Sequence, residues 1–124
     1  MAAPNLVNVT SIKGKTMGAA LGTSANTDIL GNGTSSQMVL KINSIIVANV
    51  DGTNNADVTV HFYDHDNTTR YNLAHTITVP ADTTLVVIGK DSPIYLEESD
   101  QIEASASAAN DLEMIISYEE LDDA

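Results

Sequence analysis

Apolar and polar residues alternate through most of the chain from 37 to 119, and this period of two predicts a series of β-strands. The alternation is clearest in 57–63 and in 111–119. Turn-forming clusters such as 51–55, rich in Asp, Gly and Asn, separate the strands. The inward-facing residues expected in the two clearest strands are Val58, Val60, Phe62, Leu112, Met114, Ile116 and Tyr118. The pattern predicts an all-β fold, an antiparallel β-sandwich of jelly-roll or Ig-like type.

The first 35 residues follow another pattern and predict an extended N-terminal arm. They are rich in Gly, Ala, Thr, Ser and Asn, with scattered apolar residues and short strands expected at 6–12 and 27–31. Such a segment buries little area alone, so we expect it to pack on the sandwich or on a neighbouring subunit. The chain therefore divides into an arm, 1–35, and a β-sandwich domain, 36–124, whose acidic end from Glu119 to Asp123 is expected to fray.

The strand predicted at 38–50 is apolar on both faces. Its even positions are expected to face the core, which places Ile45 and Val47 on the opposite face. Because an apolar outer face needs a cover, we predict that these two residues contact another subunit or the surface of a larger assembly. The apolar residues of the arm that we expect to dock in the same way are Leu6, Val7, Val9 and Ile12.

Charge and composition restrict the partners. The 124 residues suit one domain, and 17 acidic against 5 basic residues give a net charge of -12. Nucleic-acid binding is not expected, because phosphate contacts need clustered Lys and Arg. The N-terminus lacks the basic and apolar regions of a secretory signal, and no apolar run approaches the ~20 residues of a membrane span, so we expect a soluble protein. The chain has no cysteine, so no disulfides support the fold.

The three histidines do not form a convincing metal site. His61 and His65 lie where a strand runs into a turn, so their extended separation is roughly 13 Å, too far for one zinc ion. We expect His75, on an apolar face, to be a packed and hydrogen-bonded core residue. Arg70, the only arginine, is expected either to pair with a carboxylate of the adjacent turn, Asp64 or Asp66, or to remain solvated.

Two oxygen-rich turns leave calcium binding open. One contains Asp51 and Asp57, the other Asp64 and Asp66, but Asx side chains in turns usually bond their own backbone. No serine lies in a nucleophile-elbow sequence, and the adjacent Glu97 and Glu98 would point to opposite faces of a strand. We therefore predict no catalytic residue, no metal ligand, no cofactor and no enzymatic activity.

Three stretches carry a resemblance to a known group of proteins: VANVDGTNNADVTV (47–60), TVPADTTLVVI (78–88) and IYLEESDQIEA (94–104). They resemble small virion structural proteins of tailed bacteriophages, especially cyanophages, and the resemblance brings no active site. It implies a capsid decoration (cement) protein, a homotrimer that binds the major capsid protein or other virion proteins. The protein would be made in the host cytoplasm and end in the phage particle.

Two alternatives stay open at this point. The first is a neck, tail or fibre-associated virion protein. The second, from another class, is a carbohydrate-binding β-sandwich module. Sugar faces stack on exposed aromatic rings, and this chain has 4% aromatic residues and no tryptophan, which counts against that class.

Overall fold

The computed structural model describes residues 5–122, and in it two antiparallel sheets pack face to face, which confirms the predicted all-β sandwich. A short 3-10 turn at Leu6–Asn8 precedes the first strand. The strands are β1 (Ser11–Ala20), β2 (Asp28–Gly31), β3 (Met38–Asn49), β4 (Ala56–Asp64), β5 (Thr69–Val79), β6 (Thr84–Ile88), β7 (Ile94–Leu96), β8 (Gln101–Ala106) and β9 (Leu112–Asp122).

The strands form two sheets whose inner faces enclose the core. Sheet A has the order β1-β9-β3-β6, with β7 also paired to β3, and sheet B has the order β2-β8-β4-β5. The largest fully buried side chains are Leu21, Ile42, Ile45, Val47, Val58, Val60, Val79, Leu96, Ile102, Leu112, Met114 and Ile116. Phe62 and Tyr118 are partly buried against this core. The alternation in β4 and β9 therefore predicts the inward-facing residues correctly. Neither strand contains an extra residue itself, because the bulges lie in their partner strands β5 and β3.

A β-bulge in β3 overturns the predicted outer positions of that strand. The register of β3 against β9 shifts between Ile42 and Ser44, so one extra residue reverses the faces of everything that follows. Ile45 and Val47 are 0% exposed in the core, and the prediction that they face outward to contact a partner is wrong. Ile46, between them, is partly exposed on the outer face instead.

The first 35 residues contribute a strand to each sheet. β1 overlaps the predicted strand 6–12 only at Ser11 and Ile12, continues to Ala20 and pairs with β9, whereas β2 lies within the predicted 27–31 and pairs with β8. Of the four arm residues expected to dock, Leu6, Val7 and Ile12 are exposed and Val9 is half-buried. They are accessible, and their docking stays a prediction.

The structure contradicts two further expectations, one for the acidic end of β9 and one for His75. β9 continues to Asp122 and pairs there with both Ser11 and Met38, so the acidic end does not fray over 119–122; Asp123 lies outside the described residues. His75 is exposed rather than buried, because β5 is an edge strand whose register against β4 shifts twice. These shifts break the period of two that placed His75 on the apolar face.

Candidate functional site

An apolar row crosses the outer face of sheet A. Gly18 of β1 pairs with Ile115 of β9, Ile115 pairs with Ile46 of β3, and Ile46 pairs with Val86 of β6. Residues directly opposite each other in antiparallel strands point to the same side. We call Gly18, Ile115, Ile46 and Val86 the apolar row.

The apolar row is open to solvent. Val86 is 61% exposed and Ile115 is 40% exposed, while Ile46 is partly exposed. On one side the row is flanked by hydroxyl residues, Thr16, Ser117 and Ser44, and on the other by Ala20, Glu113, Ala48 and Thr84. Glu113 is thus the only charged residue in these two flanking rows. This part of the outer face therefore carries little of the net charge of -12.

A groove lies at the β1 end of the apolar row. It has a volume of about 310 Å³ and is lined by Gly18, Ala20 and Ile115 among others. Gly18 leaves its position on the outer face without a side chain, next to Ile115. Contiguous apolar surface with few charges is typical of protein–protein contacts, so the outer face of sheet A is the candidate interface.

The outer face of sheet B carries a polar cluster around a buried carboxylate. Glu103 of β8 is 2% exposed, and its Oε1 accepts a hydrogen bond from Arg70 Nε at 2.6 Å. The second oxygen of Glu103 accepts from Arg70 Nη2 at 3.4 Å, and the guanidinium carbon lies 4.7 Å from the centre of the Tyr63 ring. The hydrogen bond to Glu103 is the main cause that raises the pKa of Arg70.

Arg70 therefore pairs with Glu103 rather than with Asp64 or Asp66, and it is not an unpaired solvated charge either. The two residues are 33 positions apart and lie on strands separated by β4, so local spacing gives no signal for their contact. Glu103 alternates along β8 with the buried core residues Ile102 and Ala104, so it lies on the outer face of sheet B. That alternation does not show that the long Arg70 side chain covers Glu103.

Two more titratable groups complete the Glu103 cluster. His61 Nδ1 lies 3.8 Å from Glu103 Oε1, and within the described residues this buried nitrogen makes no hydrogen bond. Asp28 is directly opposite Glu103 in the β2–β8 pair. Burial, followed by the charge of Glu103, raises the pKa of Asp28. The cluster thus sets two carboxylates opposite each other, and one of them, Glu103, forms an ion pair with Arg70 that links β8 to β5.

The oxygen-rich turns use their carboxylates within the protein. Asp51 accepts hydrogen bonds from the backbone N–H groups of Thr53 and Asn54, and these bonds lower its pKa. Asp57 accepts instead from the Thr78 hydroxyl, across the β4–β5 pair. Among residues 5–122, no group of three or more His, Asp or Glu side chains is placed to hold a metal ion.

Asp100 is a buried carboxylate that sequence reasoning missed. It is 4% exposed and accepts hydrogen bonds from the backbone N–H groups of His65 and Glu97, so it joins the β4–β5 and β7–β8 turns. Burial is the largest influence and raises its pKa. Its position in an acidic run, 97–100, marks it only as a turn residue.

A polar pocket of about 360 Å³ lies at the same end of sheet B, lined by Asp28, Tyr63, His65 and Gln101 among others. The Tyr63 and His65 rings meet edge to face, with centres 6.4 Å apart and planes at 86°, and Arg70 covers one face of Tyr63. Two such rings do not make the flat platform on which a sugar stacks.

Comparison with known protein families finds no match to this sequence. Comparison with curated proteins finds no match either. In the described part of the chain, no helix is long and apolar enough to cross a membrane.

Proposed function

We propose that this protein is a non-enzymatic structural component of a phage particle, a decoration protein that binds the outer surface of the head through the outer face of sheet A. The observation that carries this proposal is the apolar row, in which Ile115 and Val86 are 40% and 61% exposed beside a partly exposed Ile46. An apolar patch on a rigid sheet is suited to a contact with another protein surface.

The resemblance of 47–60, 78–88 and 94–104 to virion structural proteins supports the choice of partner, which is the major capsid protein or another virion protein. The charge distribution is consistent with it. The two rows that flank the apolar row carry a single acidic residue, so the rest of the strongly acidic surface is free to face solvent and keep unassembled copies apart.

The protein would act by linking capsid subunits through non-covalent contacts. Fully burying a Val or Ile side chain is worth about 1.5–3 kcal/mol, and part of that burial is already made in the free protein, so one contact is modest. A copy that touches two neighbouring capsid subunits links them, and the second contact benefits from the high effective concentration created by the first. Repeated over a shell, such links resist separation of the capsid subunits.

The test is binding to purified heads that lack this protein. Ile115→Asp is expected to reduce occupancy at least tenfold, because a charge in the apolar row is desolvated on docking. Ile77→Asp is the matched control, since Ile77 is 42% exposed and lies on β5 at the edge of sheet B. We expect Ile77→Asp to bind as the wild type does.

Three results would count against the proposal. Equal occupancy of both variants would exclude the apolar row as the contact. Binding of the wild type to purified necks or tails, with none to heads, would favour a neck, tail or fibre position. Saturable binding to a glycan array, abolished by a change in the polar pocket, would favour the carbohydrate-binding class.

A further inference from the structure

Strand β1 leaves one side of its backbone open. It lies at the end of sheet A and, within residues 5–122, is paired only with β9. Just beyond its end the Leu21 N–H donates to the Leu112 carbonyl oxygen at 2.9 Å, in the same register as the rest of the pair. Because main-chain groups alternate in direction, odd residues bond β9 and even residues direct their N–H and C=O groups to the open side. These even residues are Ile12, Gly14, Thr16, Gly18 and Ala20.

The open edge of β1 is regular along its whole length. Its register with β9 runs without interruption from the Ser11–Asp122 pair to the Ala20–Glu113 pair. The other long edge strand, β5, shows two register shifts and a residue with positive φ, Thr76 at 48°. Bulges and bends of that kind protect an edge from further pairing. From Ser11 to Ala20, β1 has neither a register shift nor a residue with positive φ, so its open backbone groups are placed to pair with another strand.

Charge singles out β1 as the place where two copies can meet. All 17 acidic residues of the chain follow Thr27, whereas two of the five basic residues, Lys13 and Lys15, lie on β1. Two copies with a net charge of -12 repel each other across most of their surfaces. Contact through β1 brings together the segments that carry no acidic side chain.

We propose that β1 pairs antiparallel with β1 of a second copy of this chain across a two-fold axis, which joins the two copies of sheet A into one continuous sheet. Thr16 lies at the axis, and Gly14 stands opposite Gly18 of the other copy. The five even residues of each copy then form about ten main-chain hydrogen bonds, two for each hydrogen-bonded pair. The contact is self-complementary, as a two-fold interface must be.

The lysines disfavour registers in which the axis is shifted toward the start of β1. In the Thr16 register, Lys15 stands beside Met17 of the other copy and Lys13 beside Ala19. A shift that brings the axis to residue 15 sets Lys15 against itself, and the next shift sets Lys13 against Lys15. Like charges directly opposite each other destabilise a strand pair, so both shifted registers are disfavoured.

A side-chain fit accompanies the backbone pairing. In the Thr16 register, Ile12 of one copy stands opposite Ala20 of the other, on the outer face. Ile12 is 64% exposed in the single chain, and Ala20 lines the groove of about 310 Å³ together with Gly18 and Ile115. Ile12 therefore fills the groove of the partner, and the two-fold axis makes this contact twice. The paired copies also place their apolar rows on one continuous face.

The contact between two β1 strands does not require the particle to which the protein belongs. We therefore expect a dimer in solution, whereas the trimer implied by the resemblance stays a separate prediction. Light scattering distinguishes the two.

The first test uses proline at the axis. Because the Thr16 N–H points to the open side, Thr16→Pro removes a donor to the second copy without removing a bond to β9, and edge positions tolerate proline. Thr16→Ala is the matched control, since it loses the same hydroxyl contact to Ser117 and keeps the N–H. We expect a dimer for the wild type and for Thr16→Ala, and a monomer of unchanged circular dichroism for Thr16→Pro.

A second variant covers the case in which proline disturbs folding. Ile12→Lys leaves the backbone intact and removes the residue that fills the groove. It also adds a third positive charge to β1, beside Lys13 and Lys15. We expect its dimer dissociation constant to rise at least tenfold. A monomeric wild type at hundreds of micromolar, or an oligomer whose mass neither variant changes, would overturn the proposal.

The register has its own positive test, because the chain contains no cysteine. Thr16 of the two copies would form a hydrogen-bonded antiparallel pair, in which opposed Cα atoms lie about 5.5 Å apart, within the range that a disulfide spans. With oxidised glutathione as electron acceptor, Thr16→Cys is expected to form a covalent dimer. Thr78→Cys, an exposed position on β5, is the control and should remain uncrosslinked. Equal crosslinking of the two variants would exclude the Thr16 axis.

Discussion

Arg70 Nε donates to Glu103 Oε1 at 2.6 Å, and this bond joins the edge strand β5 to β8 across the intervening β4. The Glu103 side chain is 3% exposed, so its charge has little water to stabilise it, while the Arg70 side chain is 42% exposed. A buried carboxylate of this kind depends on its cationic partner.

Removing Arg70 should therefore destabilise the fold. Arg70→Met is expected to lower the unfolding temperature by several degrees. The substitution leaves the buried Glu103 carboxylate without its guanidinium partner, and the remaining basic group beside it is His61, whose Nδ1 lies 3.8 Å away. Combining Arg70→Met with Glu103→Gln should restore most of the loss, and calorimetry of the four proteins measures the coupling. Additive losses in the double variant would show that the two side chains act independently.

The Asp28 carboxylate gives a pH dependence with a definite sign. Its pKa is raised in the folded state, by burial first and by Glu103 second, so the folded protein holds this proton more tightly than the unfolded chain. Its contribution is then unfavourable above the raised pKa and vanishes as pH falls below the ordinary value of 3.8. We expect Asp28→Asn to stabilise the protein at pH 7 by a few tenths of a kcal/mol, as relief of opposed like charges does, and not at pH 3.

The control for Asp28→Asn is Asp91→Asn, which makes the same charge change in the exposed turn after β6. Urea unfolding at both pH values compares the two variants. A stabilisation of the same size in Asp91→Asn would assign the effect to net charge rather than to the Asp28–Glu103 pair.

The bulge in β3 places Ile45 in the core and the neighbouring Ile46 on the outer face, so truncating them should affect stability differently. Ile45 is 0% exposed, and Ile45→Ala should lower the free energy of unfolding by about 2–5 kcal/mol, as truncation in a packed core does. Ile46 is partly exposed in the apolar row, so Ile46→Ala should cost less than about 1 kcal/mol. Urea unfolding of the two variants measures these losses. A larger loss for Ile46→Ala than for Ile45→Ala would mean that β3 pairs without the bulge.

A buried asparagine ties β3 to β7. The Asn32 side chain is almost fully buried, and its Nδ2 donates to the carbonyl oxygens of Met38 at 2.9 Å and Leu96 at 3.0 Å. Asn32→Leu leaves these carbonyl groups without that donor, so we expect a loss of about 1–3 kcal/mol for each one left unsatisfied. Asn67→Leu, in the exposed β4–β5 turn, is the control and should change stability far less; thermal unfolding of both measures the difference.

The period of two was enough to predict the sandwich and the inward residues of β4 and β9, since burial of one face imposes that period locally. It failed in β3, where the extra residue near Asn43 is a property of pairing with β9 that no local spacing reveals. It also hid β1, because a strand containing Gly14 and Gly18 has weak propensity of its own and depends on β9 as a template. For the first of these reasons, the sequence predicts Ile45 and Val47 as outward-facing residues, whereas both lie in the core.

The single-residue bulge in β3 divides sheet A into two halves of different character. Before it, Leu40 and Ile42 are buried and Lys41 lies on the outside, opposite Glu119; after it, Ile45 and Val47 are buried and Ile46 lies outside. The bulge takes up the extra residue Asn43, and for that reason Ile45 faces the core and Ile46 lies on the outer face. Deletion of Asn43 would remove the extra residue and restore unbroken alternation in β3, so Ile42, Ile45 and Val47 would still face the core while the strand pairs with β9 without a bulge.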